Sequence, residues 1–260
     1  MKIVRYQKNK DISFGILVEE TINPIKGNIF GNFEISSTQI NRNEIRLLAP
    51  VSPLDVIAIG LNYKKHADES GKGYPEKPLI FLKASSSVVG PEDKIIIPEA
   101  APNEVDYEAE LAIVIGKKAK NIEIEDVPDY ILGYTCGNDV SARDCQLRLD
   151  QQWARGKSFD TFCPIGPWIE TGLSDPDNCR IMSRLNGEVM QDSNTSDLIF
   201  DTKELVSYCS KNFTLYPGTI IMTGTPEGVG FARKPPVFLK SGDIIEVEIE
   251  GIGKLNNKVI

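Results

Sequence analysis

"VDYEAELAIVIGK", residues 105–117, leads into an apolar run with its charges first. In an extended chain successive side chains alternate faces, so Asp106, Glu108, Glu110, Ala112 and Val114 share one side, and Tyr107, Ala109, Leu111, Ile113 and Ile115 the other. Cβ atoms two apart on one face lie roughly 6 to 7 Å apart, so the carboxylates of Glu108 and Glu110 can close on one ion at ~2.0 to 2.6 Å. The plainer alternative is the solvated edge of an amphipathic strand. Without a cation, carboxylates leading into such a run would repel one another or need raised pKa values.

Outward from this stretch the pattern is mostly strands: "VIAIGL", "PLIFLKA", "YILGYTCGND", "PIGPWIET", "IMSRLNGEVM", "TIIMTGT" and "DIIEVEIEGIG". Two helices are expected, over 141–149 and 201–210. Residues 1–48 read as a small N-terminal β domain of short strands and polar turns. The two prolines of "LLAPVSPLD" mark the start of a main domain over 49–260. The expected class is a strand-rich α+β fold.

At 260 residues, 41% hydrophobic and 25% charged, the chain can bury a core that needs no staples. Five cysteines without a CxxC pair argue against a disulfide framework or a zinc ribbon and suit reduced thiols. "MKIVRYQKNK" carries no apolar signal core, and runs such as "VIAIGL" are too short to span a bilayer, so a cytoplasmic protein without membrane attachment is expected. A net charge of -8 makes nucleic acid a poor partner. A small acidic ligand remains compatible if a cation mediates.

A third oxygen ligand is available from Asp139, which follows an apolar strand and a Gly-Asn turn. Taken alone, an Asp at that position is better explained by helix capping. With no Cys/His spacing for zinc, all-oxygen ligation favours Mg²⁺ or Mn²⁺ over Ca²⁺, with open positions for water or substrate. "ARGKSFD" lacks the first glycine of a phosphate loop, so Lys157 is instead a candidate for neutralising a substrate carboxylate. The glycines of "TGTPEGVGF" suit either a close backbone approach to a ligand or a tight turn. His66 is the only histidine, three residues before Glu69. On a helix the two share a face, the arrangement of an oriented general base, although a lone histidine in so polar a stretch is also an ordinary surface residue.

Taken in order, "IGLNYKKHADE", "KPLIFLKASSSVVG", "VDYEAELAIVIGK", "GYTCGNDVSARD", "ARGKSFDTFCPIGPWI" and "YPGTIIMTGTPEGVG" resemble the successive motifs of the fumarylacetoacetate hydrolase family over about residues 50 to 255. The N-terminal unit resembles that of bacterial members described as 2-hydroxyhepta-2,4-diene-1,7-dioate isomerases. The resemblance implies a rolled mixed β-sandwich paired as a homodimer. It also implies one Mg²⁺ or Mn²⁺ held by Glu108, Glu110 and Asp139, a lid pair in His66 and Glu69, a catalytic lysine in Lys157, and contacts from Gln146 and Thr225 to metal water or substrate oxygens. One departure is Met190-Gln191, where several acylpyruvate hydrolases carry Arg-Gln after Asn-Gly-Glu.

The activity so implied is metal-dependent chemistry on a small 2-oxo acid or dicarboxylate. C–C hydrolysis of a 2,4-dioxo acid is the first reading, with His66 deprotonating water. A dienedioate isomerase or an oxaloacetate-type decarboxylase on the same site comes next. A silent dicarboxylate-binding protein is the alternative of another class.

Overall fold

The computed structural model describes residues 1–150 and 152–260. The 109–115 segment is a strand, Ala109–Ile115, and every residue in it is buried. Both of its faces are covered, so the sequence alternation does not become a wet side and a dry side. Ala112 and Val114 pack with Ile3, Val56, Ile165 and Ile220. On the other face, Ile113 and Ile115 meet Leu205, Val206 and Cys209, while Ala109 and Leu111 meet Ile181, Val247 and Ile249.

This strand lies inside a 13-stranded sheet. It pairs antiparallel with Ile131–Asn138 on one side and Ile220–Met222 on the other. The sheet is mixed, because Ile220–Met222 runs parallel to Val56–Gly60. The edge beyond is Leu79–Lys83. On the far side Cys163–Glu170 pairs with Lys2–Lys8, so the N-terminal strands continue the same sheet across the expected 48/49 boundary. A 5-stranded sheet that includes Arg180–Leu185, Ile244–Ile249 and Gly253–Val259 packs on the Ala109/Leu111 face. The strand-rich α+β class expected from the sequence, and the layered sandwich that the family resemblance implies, are what the chain forms.

Helices are few. They include α1 (Lys64–Glu69), α2 (Trp153–Lys157) and α3 (Thr202–Asn212). The last matches the expected 201–210 helix, and Asp201 and Glu204 close its N-terminus with reciprocal side-chain and backbone hydrogen bonds. The helix expected over 141–149 is shorter. Ser141 and Ala142 instead pair with Asp106 and Val105 as a strand, and the helical turn occupies Cys145–Leu149. Non-local pairing overrides the local helical pattern there.

Candidate functional site

Glu108, Glu110 and Asp139 meet where the Ala109–Ile115 strand begins and the Ile131–Asn138 strand ends. Ala109 faces Asn138 across the ladder, and the Asp139 amide donates to the Glu108 carbonyl (2.9 Å). One oxygen from each of the three carboxylates lies within 4.8 Å of the others, and all three residues are buried. The solvated-edge reading of Glu108 and Glu110 therefore fails, with exposures of 6% and 1%. The capping reading of Asp139 fails too: the cap of the following turn is Asp144, whose side chain accepts from the Cys145 amide. Asp106, on the same face of the sequence pattern, does not join the three. Its carboxylate is taken up by Arg143 Nε (2.9 Å) and by the amides of Gly230 (2.8 Å) and Phe231 (3.0 Å).

Three buried cations surround the triad. Lys157 Nζ donates to Glu108 Oε2 (2.8 Å) and Asp139 Oδ2 (2.7 Å). Lys83 binds Asp139 Oδ1. Arg143 Nη2 stands 2.7 Å from Glu108 Oε1 and 2.8 Å from Asp106 Oδ2. Burial works against the charge of Glu108, but Lys157 and Arg143 outweigh it and hold its pKa below the usual carboxylate range. Glu110 makes no ion pair among the described residues: burial first, then the charges of Asp139 and Glu108, push it well above the carboxylate range and outweigh the opposing pull of Lys157. Such a cluster, with one carboxylate in no direct ion pair among the described residues, suits a hard divalent cation.

The glycine-rich segment serves these acids. The Gly224 amide donates to Glu110 Oε2 (2.8 Å), that of Gly228 to Glu69 Oε1 (3.1 Å), and that of Gly230 to Asp106 Oδ1. Gly224 and Gly228 have φ of +101° and +94°, a region other residues rarely enter. The tight turn and the backbone donors are thus the same feature, directed at the protein's own carboxylates.

His66 lies on α1, 8% exposed, with Nδ1 3.3 Å from Glu69 Oε2. The surface-residue reading of this histidine falls away. Buried Asn62 anchors the turn before α1, donating to the carbonyls of Phe200 (3.0 Å) and Thr223 (2.8 Å). His66, Glu108, Arg143, Gln146, Lys157 and Thr225 line one cavity of about 140 Å³, together with the rings of Phe81, Trp153 and Phe231. Gln146 Oε1 accepts from Arg143 Nη1 (2.9 Å). The Thr225 hydroxyl gives its proton to the Ala109 carbonyl (2.9 Å) and accepts from Gln191 Nε2 (2.8 Å), so toward the cavity it can only accept.

Sequence reasoning does not single out Arg143 or Lys83, and notes Gln191 only beside the missing arginine. Arg143 follows Asp139 by four residues and its guanidinium lies 5.3 Å from the Phe231 ring centre. Gln191 accepts from the Ala109 amide (2.9 Å) and from Ser183 Oγ (2.9 Å), tying the second sheet to the strand that carries the triad. Nothing local in the sequence marks these roles, since all are made by long-range partners.

The sequence pattern of the fumarylacetoacetate (FAA) hydrolase C-terminal family matches residues 55–260, and an Rv2993c-like N-terminal pattern matches residues 1–50. The chain belongs to the fumarylacetoacetate hydrolase family. Among relatives of the family, the mitochondrial oxaloacetate tautomerase Fahd2a of Rattus norvegicus is 51% identical over 224 residues, covering 85% of this chain and 71% of the relative. A solved 5-carboxymethyl-2-hydroxymuconate delta-isomerase from Mycobacterium smegmatis superposes with a TM-score of 0.90 at 41% identity, covering 100% of this chain and 99% of that one. A 2-hydroxyhepta-2,4-diene-1,7-dioate isomerase from Mycobacterium marinum gives 0.89 at 39%, covering 100% and 98%. Among the described residues no helix is long and apolar enough to cross a membrane.

Proposed function

We propose that the protein is a divalent-metal-dependent tautomerase of a short 2-oxo dicarboxylic acid of the oxaloacetate type. The observation that carries this reading is that Glu108, one of the three clustered carboxylates, lines a single small cavity together with the oriented histidine and two buried cationic side chains. At about 140 Å³ the cavity suits a compact acid, and the 51% identity to an oxaloacetate tautomerase supports the same substrate class.

Mg²⁺ or Mn²⁺ held by Glu108, Glu110 and Asp139 would stabilise negative charge on the 2-oxo oxygen as an enolate develops. The remaining chemistry belongs to side chains. Lys157 and Arg143 attract the substrate carboxylates. His66 has Nδ1 engaged with Glu69, which leaves Nε2 to take a proton from one end of the keto–enol unit and return it to the other. Gln146 and Thr225 help orient the substrate, Thr225 as an acceptor. A homodimer in the cytoplasm belongs to the same proposal; the exposed Leu79 and Leu82 on the edge strand offer an apolar surface for pairing.

A second reading, C–C hydrolysis of a 2,4-dioxo acid, draws on the same His66–Glu69 pair acting on water. The two are separated by giving the metal-loaded protein enol-oxaloacetate and acetylpyruvate. Faster enol-to-keto conversion with total oxaloacetate conserved supports the tautomerase. Acetylpyruvate cleavage without that acceleration replaces it by the hydrolase, loss of CO₂ by a decarboxylase, and metal-dependent oxalate binding with no turnover by a binding protein.

A further inference from the structure

We propose that Lys157 is the resident cation of the carboxylate triad: it holds Glu108 and Asp139 together without metal, competes with a divalent ion for them, and is released toward a substrate anion when that ion binds. This rests on the metal-site reading above and adds a role that the site's composition alone does not give.

The oxygens of the triad are unevenly occupied. Arg143 stands on Glu108 Oε1, the Gly224 amide on Glu110 Oε2, and Lys83 on Asp139 Oδ1. Of these three holders only Arg143 lines the cavity; Lys83 and the Gly224 amide do not. Of the three oxygens left over, two, Glu108 Oε2 and Asp139 Oδ2, are both bound by the same ammonium, Lys157 Nζ, at 2.8 and 2.7 Å. A dication drawn to the triad must therefore contend with Lys157 for two of its three available ligands. Two cations so close in a buried site repel strongly, because little water screens them.

The lysine also has somewhere to go. Its side chain is 2% exposed yet borders the cavity with His66, Gln146 and Thr225. Nζ already stands 5.4 Å from the Phe81 ring centre, a contact that can stay with the ammonium as it turns into the cavity. Lys83, by contrast, does not line that cavity and stays on Asp139. With all groups ionised, Asp106, Glu108, Glu110 and Asp139 against Lys83, Arg143 and Lys157 leave one negative charge, and a dication turns that into one positive charge, so anion binding would follow metal binding.

The test uses metal-stripped full-length protein and Mn²⁺, with free Mn²⁺ followed by electron paramagnetic resonance. Lys157→Met is expected to bind Mn²⁺ at least tenfold more tightly than wild type, and Lys157→Arg no more tightly than wild type. In parallel, reductive methylation of wild type should modify Lys157 several-fold faster with Mg²⁺ than without, and Lys83 at the same rate in both. Wild-type binding that Lys157→Met leaves unchanged or weakens overturns the exchange while the metal site stands. No Mn²⁺ binding by either protein overturns both. If Lys157→Met fails to fold, the wild-type labelling decides, and a Lys157 rate indifferent to Mg²⁺ rejects the proposal.

Discussion

His66 Nδ1 and Glu69 Oε2 face each other at 3.3 Å across one turn of α1, while the same carboxylate accepts the Gly228 amide of the glycine-rich segment. The histidine is thus oriented by a group that is itself held in place. His66→Gln should lower kcat by about 10²-fold or more while leaving Mn²⁺ affinity within twofold, because it removes a proton carrier and no metal ligand. Glu69→Gln should cost less, about tenfold. Steady-state kinetics beside a Mn²⁺ titration checks this, and a His66→Gln enzyme with wild-type kcat would remove the histidine from the chemistry.

Glu110 is the acid that burial and two like charges disfavour in ionised form. Glu110→Gln should weaken Mn²⁺ binding by about 10²-fold or more yet leave the metal-free melting temperature unchanged or higher, since the neutral amide replaces a carboxyl group whose ionised form is disfavoured there. Calorimetric titration and a thermal melt on the same preparation separate the two effects. Chelation should abolish wild-type activity, and added Mg²⁺ or Mn²⁺ should restore it.

Gly224 has φ of +101°, and a Cβ there would stand 2.8 Å from that of Asn62. Gly224→Ala should destabilise the fold by about 1 to 3 kcal/mol. It should also loosen the metal site, because the displaced amide is the one bonded to Glu110. Urea unfolding measures the first effect. Retention of full Mn²⁺ affinity in a destabilised variant would show that this amide does not order the ligand.

Burial raises the thiol pKa of Cys179 to about 11 and of Cys163 and Cys209 to about 12. A raised value keeps the unreactive thiol form to higher pH, so at pH 8 roughly one part in a thousand or less of each is thiolate. All five cysteines are buried and free. Fewer than one equivalent of a thiol reagent should react with the folded protein at pH 8, and five after denaturation. Prompt reaction of two or more in the native state would contradict this packing.

Much of the site is legible in the residues because it is built at strand ends. Alternation alone puts Glu108 and Glu110 on one side of a strand, and the helical spacing of His66 and Glu69 makes their contact a local matter. Alternation misleads at Asp106, which lies on the same face but is captured by Arg143 and by the amides of Gly230 and Phe231, 124 and 125 residues away. It misleads again at 141–149, where pairing of Ser141 and Ala142 with a distant strand outweighs helical preference.

The sequence by itself determined the strand-rich class and the family pattern, and it marked the acids and the histidine proposed to carry the chemistry, because period, spacing and residue type are properties of neighbours along the chain. Tertiary structure alone decided that Asp139 is a ligand candidate and not a cap, that Lys157 and Lys83 divide its two oxygens, that Arg143 and Gln191 brace the site, and that the glycine-rich turn donates to carboxylates. Those facts depend on groups dozens of residues apart meeting in a water-poor interior, where each buried charge must find its partner across the fold.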